Sequence, residues 1–566
     1  MRLVIRLALL AGLAPSALAA QMAQPLPLKH AAEPTVPAIT AGDLMTRLYI
    51  YADDSLMGRK AGTPDNLRAT AYIESEVRKM GLVPAGDSGG YFQWVPIVKE
   101  TIDSTSTLTA GGHTLKVFDD FLPRRLGSGT PHSVDGAQAI YGGSLVGADT
   151  FPVDEAKGRI VIFTFPTTPG ANINFGAIIA HLNGAAGLAI PGLERIPPQF
   201  KPFLRQPSYS LAGPSSGPGA PTLLQMTTAA AGVLLGTPLD SAKVGVPGPA
   251  VQAHLATISE AAPARNVVAI VRGSDPKLRG EYVAIGAHND HIGLTLPPVD
   301  HDSMRIFNHV VRPEGAEQTG KQATPEEQAR VDSLLAAFRA AHPGSERLDS
   351  IDNGADDDGS GTVSVLEMAQ RISTLQTRPK RSILFVWHTG EELGLFGSAW
   401  FTDHPTVPRD SIVAQLNIDM IGRGDSADET GRTKEGAPIF GNPNYLQLIG
   451  SRRLSTELGD LVERVNTEDH HGLVFDYSLD ANGHPQNIYC RSDHANYARY
   501  GIPVVFFTTG GHSDYHQVTD EPQYIDYAHM ARVANLIEDI AMHVADLDHR
   551  VVVDHPKPDP HGACQQ

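Results

Sequence analysis

Cysteine is almost absent: the 566-residue chain has two, Cys490 and Cys564. A protein of this size does not need a disulfide, although an exported pair can form one, and the pairing stays open at this level. Positive charge is also scarce, with 45 Lys and Arg against 63 Asp and Glu and a net charge of −18. That balance argues against nucleic acid or an anionic membrane surface as partner, and fits a soluble enzyme and a binding protein equally well. Long apolar runs are missing too. After the N-terminus no stretch reaches the roughly 20 apolar residues that span a bilayer, so no membrane anchor is expected.

The chain opens on Met1-Arg-Leu-Val-Ile-Arg6, a short apolar run from Leu7 to Leu13, and the small residues Ala17-Leu-Ala19. This is the pattern of a secretory signal peptide over 1–20, cleaved after Ala19 or Ala20. No cysteine stands near that point to carry a lipid. The mature protein is expected in the periplasm or outside the cell. Hydrophobic residues make up 41%, enough for sizeable cores, and the length suggests roughly two to four domains.

Beyond an Ala- and Pro-rich start, residues 41–117 begin with an amphipathic stretch (Leu44, Leu48, Ile50). A helix capped by Asp65 or Asn66 runs from there to Met80, and strand-like segments follow from Tyr91. Between 118 and 258 glycine, alanine and proline become dense and acidic residues thin out. Strands are expected at 158–165, 184–190 and 221–225 with a helix at 175–182, a small β/α module with no His, Asp or Glu grouping. From 259 to 547 apolar β-rich runs (267–271, 282–285, 382–387, 412–418, 503–507) alternate with helices expected at 362–375, 444–465 and 525–547. Such alternation implies an α/β fold with a mainly parallel sheet flanked by helices. Residues 294–350 form an unusually long connection with one helix at 325–341. Residues 548–566 read as a tail whose His549, His555 and His561 are incidental.

The chemistry is organised around Asn353-Gly-Ala-Asp-Asp-Asp-Gly-Ser-Gly361. Asp356, Asp357 and Asp358 repel one another, and a mere solvated turn seldom carries such density. Flanking glycines allow tight turns, and the apolar spacing of Val363, Leu366, Ala369 and Ile372 begins a helix there. In open α/β sheets, sites form at the carboxyl ends of strands. After the expected strands stand His288, Asn289, Asp290 and His291, then Glu391-Glu392, then Asp419, and finally His512 to His516 with Asp520. Any one has a structural explanation; five elements delivering imidazole or carboxylate to one edge are hard to ascribe to coincidence. Imidazole and carboxylate without thiolate suit two Zn²⁺ ions sharing one bridging carboxylate.

The set Gly286-Ala-His-Asn-Asp290, Gly354-Ala-Asp-Asp-Asp358, Glu391-Glu392, Asn417-Ile-Asp419-Met and Tyr515-His516-Gln-Val-Thr-Asp520 resembles the M28 family of di-zinc exopeptidases, in family order. The resemblance runs over most of 41–547, and the 118–258 module resembles the protease-associated domain of many members. It implies that His288 and Asp419 hold one zinc, Glu392 and His516 the other, and that Asp357 bridges. Asp290 would orient His288, Glu391 would be the general base, and Tyr489 would help stabilise an oxyanion. The 294–350 segment is longer than usual for the family, so specificity does not carry over.

The implied reaction is removal of N-terminal residues from peptides. A carboxypeptidase would need a cation for the terminal carboxylate, and Arg423 and Arg491 stand near the motifs. A receptor-like binding protein would be marked by lost ligands, yet all five positions and the base are filled. A transferase cyclising an N-terminal Gln is a further relative. Oligomeric state and preferred side chain are not legible.

Overall fold

In the computed structural model the described residues are 26–124, 132–166, 173, 175–196, 201, 204–212, 220–344, 347–560 and 562–566. The expected signal peptide and His561 lie outside them. The chain forms two compact units, one of residues 1–95 with 263–566, the other of residues 96–262.

The first unit is built on a mixed sheet. Its strands are β1 (Thr257–Val271), β2 (Tyr282–His288), β5 (Ser382–His388), β6 (Ile412–Ile418), β7 (Tyr445–Ile449), β8 (Val474–Asp476) and β9 (Val504–Thr508). The order across the sheet is β8-β7-β9-β6-β2-β5-β1. The middle four, β9, β6, β2 and β5, are mutually parallel, while β7 and β1 join antiparallel at the flanks. Two further strands, β3 (Gly293–Asp300) and β4 (Leu348–Asp352), pair antiparallel as a separate hairpin.

The middle strands read as unbroken apolar runs because both faces are covered. In β5, Ile383, Phe385 and Trp387 enter the core under helices α1 (Ala41–Tyr51), α2 (Pro64–Lys79), α5 (Gly361–Ser373), α6 (Thr456–Glu468) and α7 (Tyr527–Asp546). Leu384 and Val386 enter a second core with Phe401 and Tyr497. Each such side chain, fully buried, contributes about 1.5–3 kcal/mol.

Three expectations are corrected. Residues 444–465 are not one helix: Tyr445–Ile449 is a buried strand antiparallel to β9, and α6 starts only at Thr456. Gly450, at φ +79°, turns the chain between them. The 294–350 connection is structured, with β3 and β4 framing α3 (His301–Val311) and α4 (Pro325–Ala341). The cap of α2 is Thr63, whose hydroxyl accepts the N–H of Asn66, rather than Asp65 or Asn66. Cys490 and Cys564 are joined in a disulfide.

The second unit contains a sheet in the order Pro247–Ala250, Gln138–Ser144, Ile160–Thr164, Gly187–Pro191, Thr222–Met226, Phe121–Arg124. The four strands from Gln138 to Met226 are parallel. It takes in the 118–258 stretch and the strands just before it. Among its described residues no group of side chains could hold a metal ion.

Candidate metal centre

Strands β9, β6, β2 and β5 run side by side in one direction, so their carboxyl ends share an edge. His288 ends β2, Asp419 follows β6, Glu391 and Glu392 follow β5, and the loop after β9 carries His516. The turn between β4 and α5 brings in the three aspartates, which have three different partners. Asp358 accepts the backbone N–H groups of His288 (3.0 Å), Gly361 (2.8 Å) and Met420 (3.4 Å), capping α5 and tying two strand ends together. Asp356 accepts the N–H of Gly422 at 2.6 Å and lies 3.2 Å from His512. Asp357 alone turns its carboxylate to the other ligands.

That turn is held from both sides. Asp520 accepts the N–H groups of Asp356 and Asp357. The buried guanidinium of Arg59 donates to the carbonyls of Asn353 and Gly354. Gly354, at φ +54°, has no room for a Cβ, which would sit 2.2 Å from the Asp357 carbonyl and 2.5 Å from the His291 ring.

Two groups of potential ligands share Asp357: His288 with Asp419, and His291 with Glu392 and His516. One oxygen of Asp357 is 3.1 Å from His288 Nε2, the other 3.0 Å from His516 Nε2. His288 Nε2 is 3.6 Å from Asp419, and His516 Nε2 is 3.0 Å from Glu392. His291 Nδ1 lies 2.8 Å from Glu392 Oε1, yet both atoms are buried without a hydrogen bond. A nitrogen and a carboxylate oxygen that close with no hydrogen aimed between them are arranged about a third point. This donor set of imidazoles and carboxylates fits divalent metal binding.

The electrostatics agree. Burial works against charge on the imidazoles of His288 and His516, but surrounding carboxylates, Asp419 for the first and Glu392 for the second, push both well above the ordinary value. Burial likewise opposes charge on Asp357 and Glu392. Hydrogen bonds from His288 and His516 bring Asp357 well below the usual range, and His516 brings Glu392 to about 2. Bound cations take over the role of those protons.

A pocket of roughly 100 Å³ opens onto these residues, with Asp357, Glu391, Glu392, Asp419 and His516 in its wall. Burial, then the negative charges of Glu392 and Asp419, pushes Glu391 well above the usual carboxylate range against the pull of His288. Asp290 touches His288 differently from expectation. Its backbone carbonyl lies 3.1 Å from His288 Nδ1, while its carboxylate stands 3.9 Å away and accepts the N–H of Glu391 at 3.2 Å. Burial is the main reason Asp290 rises to about 7.

Tyr489 is not brought to the pocket wall. Its ring packs against His494, with the Arg453 guanidinium 4.6 Å from its centre. Tyr515 does line the pocket, stacked on His516 with centroids 4.1 Å apart. Arg423 is buried on Asp514 at 2.6 Å, whereas Arg491 lines the pocket, bonded to Glu317 at 2.6 Å and 3.3 Å from the Tyr515 hydroxyl. Glu317 and Glu314 come from the 294–350 segment. Gly315 between them, at φ +54°, lies so close that a Cβ would meet the Tyr515 carbonyl at 2.6 Å.

Sequence reasoning passed over His291, Tyr515 and the two glutamates. The histidine directly after Asp290 was visible in its motif; the glutamates carry no local signal.

Residues 266–541 match the profile of Peptidase family M28. Leupeptin-inactivating enzyme 1 of Streptomyces exfoliatus is 29% identical over 199 residues, 34% of this chain and 38% of that protein. Leucine aminopeptidase 1 of Coccidioides posadasii (strain C735) is 31% identical over 194 residues, 32% of this chain and 44% of that protein. The chain thus spans less than half the length of these curated relatives. Among solved structures, an aminopeptidase from Aneurinibacillus sp. strain AM-1 aligns with TM-score 0.49 and 16% identity, over 92% of this chain and 97% of that one. The zinc aminopeptidase BSAP from Bacillus subtilis aligns with TM-score 0.46 and 16% identity, over 89% and 95%.

Proposed function

We propose that the protein, whose residues 266–541 match the profile of Peptidase family M28, is an exported zinc-dependent aminopeptidase that hydrolyses N-terminal residues from peptides. One observation carries the reading: two groups of metal-capable side chains share Asp357 in the wall of a pocket that also contains Glu391.

His288 and Asp419 would hold one ion, Glu392 and His516 the other, and Asp357 both; His291 stands within reach of the second. Zinc held there supplies Lewis acidity, which acidifies a water and polarises a peptide carbonyl. The charges balance: Asp357, Glu392, Asp419 and Glu391 bring −4 against +4 for two such ions.

Glu391 is the general base. It accepts the proton of the attacking water and hands it to the leaving amine, a role that suits a carboxylate whose affinity for protons is raised. Asp290, bonded to the N–H of Glu391, holds that residue's backbone in register with the pocket. The Tyr515 hydroxyl accepts from the Arg491 guanidinium and keeps its own proton to donate toward charge developing on the carbonyl oxygen. Tyr489, packed on Arg453, is the weaker candidate for that donor.

The carboxypeptidase alternative loses support, because Arg423 is committed to Asp514 and Arg491 to Glu317. Glu317 and Glu314 also line the wall, each already in an ion pair, with Arg491 and Arg432 respectively. In this reading residues 1–20 are the export signal, and the 118–258 stretch is a protease-associated module.

The test is digestion of a peptide free at both ends, then blocked at each end in turn, read by mass spectrometry with and without chelator. Loss of N-terminal residues, stopped by N-acetylation and by chelation, is expected. Loss from the C-terminus would transfer the assignment to carboxypeptidase, and no cleavage with zinc present would overturn the peptidase reading.

A further inference from the structure

Away from the pocket, a second group of imidazoles and carboxylates lies where α6 meets α7. Asp469 follows the last residue of α6, and His471 stands two residues on. His470 between them takes φ +62°, a left-handed turn uncommon outside glycine. Past it, the His471 N–H bonds the Asn466 carbonyl at 3.1 Å. Asn466 then fixes the end of the turn, its side chain bonding both the N–H and the carbonyl of Leu473. His471 is therefore held in place rather than loose on the surface.

Facing it, α7 offers Asp539 and His543, four residues apart and so on one face of the helix. One ligand atom each from Asp469, His471 and Asp539 lies within 4.8 Å of the others. His543 Nε2 lies beside this group of three, 2.9 Å from Asp469 Oδ2. His471 Nε2 is 2.9 Å from Asp539 Oδ2 but is buried without a hydrogen-bond partner. This is the same arrangement that His291 and Glu392 adopt at the pocket, where nitrogen and oxygen close on each other with no hydrogen aimed between them. His543 and Asp469 share a hydrogen bond, which orients the Asp469 carboxylate.

We infer that Asp469, His471 and Asp539 form a separate metal site that joins the end of α6 to α7, with His543 beside it. An imidazole with two carboxylates suits a first-row divalent ion such as zinc; calcium and magnesium prefer oxygen donors alone. Asp469, Asp539 and His543 are between 35% and 44% exposed, against 11% for His471. The site is therefore open to solvent on one side and loads without opening the fold. Its role is a clasp: an ion bound to the folded state and not to the unfolded chain stabilises the fold by mass action. The inference does not depend on what the pocket binds or catalyses.

Zinc is the probe. The full-length chain is dialysed to equilibrium against micromolar zinc, and bound metal is counted by mass spectrometry beside peptide hydrolysis and the unfolding midpoint. Asp539→Asn on α7 and Asp469→Asn on the loop are each expected to lose one zinc per chain, keep hydrolysis, and lose part of the rise in midpoint that zinc gives the parent. Because the count is a difference from the parent, it holds whatever number of ions the pocket carries. Two variants on separate elements guard against a folding defect in either. Retention of the parent's full zinc content by either folded variant would overturn the inference and leave two ordinary imidazole-carboxylate pairs.

Discussion

Two buried clusters of histidine and carboxylate lie in the same unit, and they differ in what completes them. At the pocket, His291 Nδ1 and Glu392 Oε1 approach to 2.8 Å and neither has a hydrogen bond. In the other cluster, His301 Nδ1 bonds Asp349 at 3.2 Å and its Nε2 meets the Tyr524 hydroxyl at 3.2 Å, while Arg347 pairs with Glu521 at 3.2 Å. The second cluster is closed by the protein's own groups; the first is left with buried atoms that the protein's own groups do not satisfy and that suit an added cation. Residue types are nearly the same in both. Hydrogen-bond completeness, not composition, separates a metal centre from a polar clasp.

The sharpest way to break this contrast is to remove the shared ligand. Asp357→Asn is expected to abolish hydrolysis and zinc binding in the pocket together, since both groups use that residue; metal analysis beside activity checks it. Glu391→Gln should keep the zinc and slow turnover by about 10²–10⁴-fold, the usual contribution of a positioned base. Unchanged kcat in that variant would remove Glu391 from its role.

Next, Tyr515→Phe should lower kcat by about 10²-fold, the scale of one lost oxyanion donor, while Tyr489→Phe stays close to the parent. The reverse order would restore Tyr489 to the role the sequence resemblance implies.

A pH experiment sharpens the comparison further. His288 and His516 sit above their ordinary value, so near pH 7 they carry protons that zinc must displace. Zinc uptake should release protons and weaken as the pH falls, whereas Asp357 and Glu392, both lowered, stay ionised through this range. Calorimetry in two buffers of different ionisation enthalpy measures the release; none at pH 7 would contradict it. The smallest effect is expected in the closed cluster. His301→Phe should leave pocket zinc unchanged and cost about 1–3 kcal/mol of stability, because Asp349 and Tyr524 lose a buried partner. Loss of pocket zinc on that change would make the two clusters one system.

Much of the centre was readable beforehand because its signals are local. His288, Glu392, Asp419 and His516 each follow an apolar run by a few residues, and the carboxyl-end rule collects them. The strand at Tyr445–Ile449 was not readable: its apolar residues continue into those of α6, and a short buried strand looks like helix until its partner β9 is known. The hairpin β3/β4 was hidden for the same reason, since its two strands are separated by two helices and pair only in space.

By itself the sequence determined the strand-helix alternation and the edge at which imidazoles and carboxylates gather, because periodicity acts over a few residues; the five ligand positions were implied by the resemblance of its motifs to a known family. Tertiary structure decided how the aspartates divide their work. Asp358 is spent on backbone N–H groups 70 and 62 residues away in sequence, which leaves Asp357 for the ligands. It also decided that His291 joins the second group, that Tyr515 and not Tyr489 lines the pocket, and that the 294–350 segment supplies Glu314 and Glu317 to the pocket wall. Each of these depends on which atoms meet across distant parts of the chain. Hydrogen bonds and charge pairs are won or lost at that distance, where no local pattern reports them.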